Sequence, residues 1–285
     1  MVQEDYFFKQ LKDRIESLSK NQRILARYIR AHYQRVAFST IKQLAQLSGV
    51  SEATIVRFVR ALDFKGYPAF QKEIRRIVRA DLKGTERFKL TYESKGQKQS
   101  PFSGIIEKEI ENISYLQEAF NPKEFKRTLL AIQKAPEVLI VGTRSSASLA
   151  HHFWFGLTKL EIKATRILSI TTETYDYINR LDRRTCVLFI GFPRYLRELI
   201  DLLDFSKEKD LRTIILTDSP FSPLQGEINL YTPAESSLFV AFHCAPLILI
   251  NAILNELSLM EKDKTLNALN RFEALAEAKG YFHKE

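Results

Sequence analysis

Two spacings of apolar residues divide this chain. Up to about residue 80, apolar side chains recur every three or four positions in short segments, the period of amphipathic helices. The S-K-N-Q string at Ser19–Gln22 has the capping-box pattern: the Ser side chain accepts from a helical N–H and the Gln side chain reaches back to the cap. The helix it opens is expected to set Ile24, Leu25, Tyr28 and Ile29 on one face. Ser39 or Thr40 caps a second helix with Ile41, Leu44, Ala45 and Leu47 inward. Gly49 ends it, and Ser51 caps a third. A fourth is expected from Ala69 to about Leu82, carrying Lys72, Arg75, Arg76 and Arg79.

Residues 83–104 lose this period and gain Gly, Ser, Lys and Gln, the composition of a linker. An amphipathic helix is expected from about Ile105 to Phe120. Beyond it the apolar residues come in unbroken runs: EVLIVG (137–142), ATRILS (164–169), TCVLFIGF (185–192), RTIILTD (212–218) and EINLYTP (227–233). Unbroken runs suit strands covered on both faces, and helical patterns between most of them imply a parallel sheet wrapped by helices. The last connection, DSPFSPLQG, is too rich in proline for a regular helix. The stretch Ser236–Asn255 contains no Asp, Glu, Lys or Arg and approaches the length of a membrane span. Its Ser236, Ser237, His243, Pro246 and Asn251 favour instead a helix buried on all sides within a domain or dimer core.

The segment from Ile41 to Leu62 reads as two helices joined at Leu47–Val50. Ala45 is small where the helices cross, and Gly49 can take the positive φ of the turn. Val50, Ile55, Phe58 and Leu62 then face inward. This is helix-turn-helix spacing, and the second helix presents the residues expected to reach DNA: Ser51, Glu52, Ala53, Thr54, Val56, Arg57 and Arg60. Short side chains at the helix start allow close approach, and the two arginines can reach guanine edges or phosphates. Charge supports this. The chain carries a formal +9, yet residues 1–90 hold 19 Lys and Arg against 9 Asp and Glu, whereas the remainder holds 24 against 25. The positive excess lies wholly in the first third, as for a polyanion-binding module joined to a near-neutral domain.

The string SGVSEATIVRFVRALDFKGYPAFQ resembles the helix-turn-helix of the RpiR/MurR family of bacterial transcription regulators, over residues from about 5 to 80. The trailing L-D-F-K-G-Y at Leu62–Tyr67 makes the resemblance specific, since helix-turn-helix geometry does not require it. The resemblance implies that a phosphosugar-binding SIS domain with a five-stranded parallel sheet follows. The expected architecture is therefore an all-α helix-turn-helix domain (1–82), a linker (83–104) and an α/β SIS-like effector-binding and dimerisation domain (105–285).

In that family the ligand is held by loops after the strands. GTRSSASLA (142–150) is similar to the family pattern G-x-G-x-S-x-x-x-A: Gly142, Ser146 and Ala150 match, and Arg144 replaces the second glycine. GFPRYLRE (191–198) departs from S-x-S-G-x-T-x-E. Gly191, Pro193, Arg194 and Leu196 stand in the places of Ser, Ser, Gly and Thr, and only Glu198 remains. A hydroxyl cradle is exchanged for Arg194, Tyr195 and Arg197, and guanidinium forks bind carboxylate or phosphate. LTDSPFSPL (216–224) follows the family, including Thr217, Asp218 and Ser219. The expected effector contacts are Gly142, Arg144, Ser145, Ser146, Arg194, Tyr195, Arg197, Thr217 and Ser219, and the expected effector is a small anion, sugar phosphate or carboxylate.

The rival reading is a sugar-phosphate isomerase on the same sheet, with Glu235 and His243 as an acid/base pair on one helix face. A further alternative is a DNA-binding regulator with a silent effector pocket. No P-loop, G-x-S-x-G or metal motif occurs, so neither a metal nor a cofactor is expected. Cys186 and Cys244 lie in apolar runs, as buried thiols of a reducing compartment do. The N-terminus has no signal-peptide core. The expected protein is a cytoplasmic regulator, a homodimer or higher even oligomer on an inverted-repeat operator in double-stranded DNA.

Overall fold

The computed structural model describes residues 6–82, 85–86, 89, 101–236 and 240–283. Contacts divide the chain into two compact units, Met1–Tyr92 and Glu93–Glu285.

The first unit is helical: α1 (Tyr6–Asp13), α2 (Lys20–Val36), α3 (Ile41–Ser48), α4 (Glu52–Ala61) and α5 (Tyr67–Asp81). Local chemistry sets the boundaries. Ser19 and Gln22 form the predicted capping box at α2. Thr40, not Ser39, caps α3, with Gln43 completing a second box. Gly49 ends α3 at φ 70°, a left-handed turn that glycine takes without steric cost. Ser51 then accepts from the Thr54 N–H at 3.2 Å to start α4.

Leu25, Ile29, Leu44, Ile55, Phe58, Phe70, Ile74 and Ile77 are fully buried and form the core, with Phe7 of α1 stacked against Phe8 and Phe70. Ile24 departs from expectation: it is 42 % exposed, and Ala26 turns inward instead. Helix α5 begins at Tyr67, two residues before the predicted start, because Pro68 fits a first helical turn that needs no N–H from it.

The L-D-F-K-G-Y string closes this unit. Leu62 is buried, Asp63 pairs with Arg14 at 2.8 Å, and Phe64 meets Phe7 and Phe70. Tyr67 donates its hydroxyl to the Ser39 carbonyl at 2.7 Å, Gln71 donates to the same oxygen at 2.7 Å, and Arg75 donates to the Ala37 carbonyl at 2.8 Å. Helix α5 thus holds the carbonyls of the α2–α3 connection.

The expected linker falls largely outside the described residues, and its last four positions, 101–104, are already helical. The second unit contains α6 (Pro101–Ala119), α7 (Pro122–Lys134), β1 (Val138–Gly142), α8 (Ala147–Lys159), β2 (Ala164–Ile167), α9 (Thr172–Asn179), β3 (Cys186–Ile190), α10 (Arg197–Glu208), β4 (Arg212–Thr217), β5 (Ile228–Tyr231), α11 (Cys244–Met260) and α12 (Lys262–Lys279). The five predicted runs are the five strands, all parallel, in the order β2-β1-β3-β4-β5. No helix joins β4 to β5.

Helices cover both faces. Val138, Ile140, Leu188, Ile190, Ile214 and Leu216 pack with α7, α8 and α11. Leu139, Val141, Val187, Phe189 and Ile215 pack with Ile178 of α9 and Leu199, Leu202 and Leu203 of α10. Double coverage explains why the strands read as unbroken apolar runs.

The stretch Ser236–Asn255 is not one helix. Helix α11 starts only at Cys244, and Pro246 sits in its first turn. Its buried Ala245, Leu249, Ile250, Ile253 and Leu257 line the sheet, while Ile248 is exposed. Among the described residues no single helix is long and apolar enough to cross a membrane; only the pair α11–α12, bent by 104°, reaches that length and composition together. Cys244 also departs from expectation: it is exposed, and only Cys186 is buried, its thiol pushed up to about 12 by burial.

Burial raises the Tyr67 pKa from 10.0 to about 12, against a smaller opposing effect of Arg75. The protonated hydroxyl is therefore favoured in the folded state. Its contribution is complete below pH 10 and is lost as pH rises from about 10 to about 12. Tyr67→Phe is expected to cost about 1 kcal/mol at neutral pH, for one hydrogen bond. In urea titrations at neutral and alkaline pH, the gap between wild type and variant should narrow above pH 10; a gap that stays constant would show that the hydroxyl does not hold Ser39.

Candidate recognition helix and sheet-edge loops

In the first unit, α3 and α4 meet at the Gly49 turn. Val50, Ile55, Phe58 and Leu62 are buried as expected and fix the axis of α4. Ser51, Glu52, Ala53, Val56, Arg57 and Arg60 are exposed along its other side. Thr54 is the exception among the predicted DNA contacts. It is only 5 % exposed, and its hydroxyl shares a 2.9 Å hydrogen bond with Ser51 Oγ. Its place one turn-position from the buried Ile55 turns it into the core, where it braces the cap. Arg57 and Arg60 make no ion pair or hydrogen bond among the described residues. Glu52 lies in the first turn, where a carboxylate suits the helix dipole.

In the second unit, β1 and β3 are neighbours, with Gly142 opposite Ile190. The helix after β1 packs on one face of the sheet and the helix after β3 on the other. The two connections therefore diverge from adjacent strand ends and leave a crevice at the carboxyl edge, the usual ligand position in such sheets. Gly142 is required there. A Cβ at this position would lie 2.8 Å from Ala150 Cβ and 2.8 Å from the Ser146 carbonyl oxygen, so only glycine lets the chain fold back onto α8.

Residues Arg144–Ser146 form a 3₁₀ turn before α8. Arg144 takes φ 53°, a left-handed conformation costly for a side-chain-bearing residue. This is the position where the family pattern has glycine. Arg144 and Ser145 are exposed; Ser146 is buried. Neither Ser146 ahead of α8 nor Leu196 ahead of α10 makes a side-chain cap hydrogen bond, so the first-turn N–H groups of both helices lack the hydroxyl caps found in the first unit. Arg197 stands at the first position of α10, where a cation opposes the helix dipole.

The chain has ten arginines after residue 100, and seven have partners: Arg127 with Glu124, Arg166 over Trp154, Arg180 with the Asp176 carbonyl, Arg183 with Asp210, Arg184 with Asp182, Arg212 with Glu227 and Arg271 with Glu161. The remaining three, Arg144, Arg194 and Arg197, have none among the described residues, and all three belong to the crevice loops. Glu198 and Asp201, close in sequence, do not pair with them.

The other predicted contacts make hydrogen bonds within and between the loops. Tyr195 donates its hydroxyl to the Asp218 carboxylate in a short hydrogen bond, tying the loop after β3 to the loop after β4. Thr217 is fully buried and bonds Ser222 Oγ at 3.0 Å. Ser219, 2 % exposed, accepts from the Phe221 N–H at 3.1 Å. These hydroxyls shape the third loop. Glu235 and His243 do not share a helix: Glu235 lies in the loop after β5 and is held by Lys108 at 2.7 Å, while His243 immediately precedes α11. Sequence reading missed the Lys108–Glu235 and Tyr195–Asp218 contacts because both join residues distant in the chain. Among the described residues no group of His, Cys, Asp and Glu could hold a metal ion.

A helix-turn-helix with unpaired arginines on its outer side, followed by a doubly wound sheet with an open carboxyl edge, is the architecture of a DNA-binding regulator with a ligand-type second domain. Residues 7–78 match the model of the helix-turn-helix domain of the rpiR family, and residues 131–255 match that of the SIS domain. The chain thus carries a helix-turn-helix domain of the rpiR family followed by a SIS domain, the domain pair of a transcriptional regulator. It is 24 % identical to the HTH-type transcriptional regulator HexR of Escherichia coli K12, across 95 % of this chain and 94 % of that protein. It is 25 % identical to the uncharacterized regulator YbbH of Bacillus subtilis, across 78 % of each. Its fold is similar to the sugar isomerase domain of an RpiR transcription factor from Sphaerobacter thermophilus (TM-score 0.60, 22 % identity, 62 % of this chain and 99 % of that one). It is also similar to Vibrio vulnificus NanR complexed with ManNAc-6P (TM-score 0.59, 18 % identity, 95 % and 98 %).

Two measurements check these placements. Arg57→Ala is expected to weaken specific DNA binding by about 1–3 kcal/mol with the fold intact by circular dichroism; unchanged gel-shift affinity would remove Arg57 from the interface. Arg144→Gly relieves about 1–2 kcal/mol of left-handed strain and adds about 0.5–1 kcal/mol of unfolded-state freedom. Stability without ligand should thus stay level or rise by up to about 1.5 kcal/mol. A clear loss would mean that the guanidinium supports the fold itself.

Proposed function

We propose that this regulator binds an operator through α4 and changes its DNA affinity when a small organic anion, a sugar phosphate or a hydroxy-carboxylate, enters the crevice between residues 142–150 and 191–198. One observation carries the reading: among the described residues of the second unit, the three arginines without partners are the three in those loops. Three cations gathered at one edge repel one another, and an anion between them removes the repulsion while accepting bidentate hydrogen bonds. The ManNAc-6P named with NanR makes a sugar phosphate a reasonable first probe.

The domain reading, 1–82, 83–104 and 105–285, follows from the same division of labour. So does a two-fold dimer on an inverted repeat, since one small helical module offers too little surface for tight operator binding. Exposed Ile106, Ile110 and Ile113 recur at helical spacing along α6 and suit burial against a second copy. A regulator of DNA with free thiols belongs in the cytoplasm. In this reading the second unit binds and does not catalyse; the Lys108–Glu235 ion pair at 2.7 Å, which engages the acid of the rival isomerase reading, supports it.

The test uses full-length protein and a footprinted operator. At 100 times its dissociation constant, an anion such as ManNAc 6-phosphate or glucose 6-phosphate should add about 2.7 kcal/mol of stability and shift operator affinity. Arg194→Ala should abolish both responses while the ligand-free variant stays folded and protects two half-sites centred about 10–10.5 bp, or a multiple, apart. A ligand that binds Arg194→Ala as well as wild type would remove Arg194 from the site.

A further inference from the structure

Among the described residues of the second unit, two buried side-chain N or O atoms lack a hydrogen-bond partner: Thr232 Oγ1 and His243 Nε2. Both belong to the same edge of the sheet. Thr232 follows β5 directly, is fully buried, and donates its backbone N–H at 2.8 Å to the carbonyl of Thr217, the last residue of β4. By strand alternation it shares the face of Ile228 and Leu230, the face that packs with α11. His243 precedes α11, and its ring centroid lies 6.0 Å from that of Phe192, the second residue of the loop after β3. The imidazole is therefore a neighbour of the loop that carries Arg194 and Arg197.

Native proteins pair nearly all buried polar atoms, so two orphans at one functional edge call for a ligand that supplies the missing partners. Burial lowers the His243 pKa, against a smaller opposing effect of Glu109, which favours the neutral ring. A neutral imidazole offers one donor and one acceptor and no net charge. It is matched to a hydroxyl or carbonyl and adds no charge to the grip on a phosphate or carboxylate.

Resting on the anion-sensing reading above, we infer that His243 Nε2, seconded by the Thr232 hydroxyl, recognises hydroxyl or carbonyl groups on the body of the effector while the loop arginines hold its charged end. His243 is on this account a specificity-determining residue: it separates the hydroxyl-bearing sugar phosphates and hydroxy acids of that reading from simple anions of the same charge. A site that hydrogen-bonds a substrate hydroxyl rejects analogues lacking it, because its own buried polar atoms are then left unpaired.

The experiment compares full-length wild type with His243→Phe, His243→Gln and Thr232→Val. Thermal melting without ligand comes first. Phe and Val remove the orphan atoms, so both variants should melt at or above the wild-type temperature. Melting well below it, with His243→Gln restoring the loss, would show a structural partner and overturn the inference. Calorimetry with ManNAc 6-phosphate, glucose 6-phosphate and gluconate 6-phosphate then reads recognition, with ethyl phosphate as the anion that lacks hydroxyls. A hydroxylated probe should bind His243→Phe at least tenfold more weakly than wild type and recover part of the loss in His243→Gln, while ethyl phosphate binds wild type and His243→Phe alike. Equal binding of the hydroxylated probe to wild type and His243→Phe overturns the role of His243 and leaves the arginine site standing. If neither the hydroxylated probes nor ethyl phosphate stabilise wild type, the anion site itself fails and this inference falls with it.

Discussion

The second unit depends on one adjacency. Strands β1 and β3 pair in parallel at the centre of the sheet, yet the helices that follow them pack on opposite faces. Parallel strands require crossovers, and crossovers of opposite side cannot fill the space directly above the two strand ends. The crevice is a by-product of burying apolar strands on both faces. Its lining is free to vary because the core beneath, such as Ile140, Leu188 and Ile214, needs nothing from it. That freedom explains how a loop can exchange hydroxyls for Arg194 and Arg197 without disturbing the sheet. Gly142 is the fixed point, since the chain can turn back onto Ala150 only where no Cβ intervenes.

The first unit obeys a different economy of structure. Its helices are short, and each of α2, α3 and α4 begins with a hydroxyl side chain that satisfies a first-turn N–H. The loop ahead of α3 is held by Tyr67, Gln71 and Arg75. Charges that would help fold such a unit are thus partly engaged inward, and those left outward include Arg57 and Arg60. The helix starts at the crevice follow the opposite rule. Ser146 and Leu196 give no side-chain cap, Arg144 is left-handed and Arg197 opposes its helix dipole. Local stability is lower at these two helix starts than at those of the first unit.

Most of the fold was readable because its signals are local. Capping boxes at Ser19 and Thr40, the glycine at 49 and five unbroken apolar runs each need only a few residues to be recognised. The failures were of three kinds. Ile24 and Thr54 sit at the margin of a helix face, where spacing alone does not decide between core and solvent. The uncharged run Ser236–Asn255 looked uniform, but a helix needs a start, and the start at Cys244 is set by tertiary contacts, including the Cys244 N–H to Glu109 at 3.4 Å. At the candidate site the arginines were visible as residue types, whereas their lack of partners was not. Tyr195 reads as a ligand contact in the sequence, whereas its bond to Asp218, a residue from another loop, has no local signal. Orphaned atoms such as His243 Nε2 have no sequence signature, because they are defined by what surrounds them.

The hydroxyl caps have a consequence for how the chain acquires its structure. Helices that carry their own start signals and pack on near neighbours have low contact order and fold quickly, whereas a parallel sheet must first bring together distant segments such as Val138 and Cys186. The capped helices also leave the ribosome first. During synthesis the helical unit is therefore formed before β3 exists, and the nascent chain passes through an interval in which it carries a folded helix-turn-helix but no sheet.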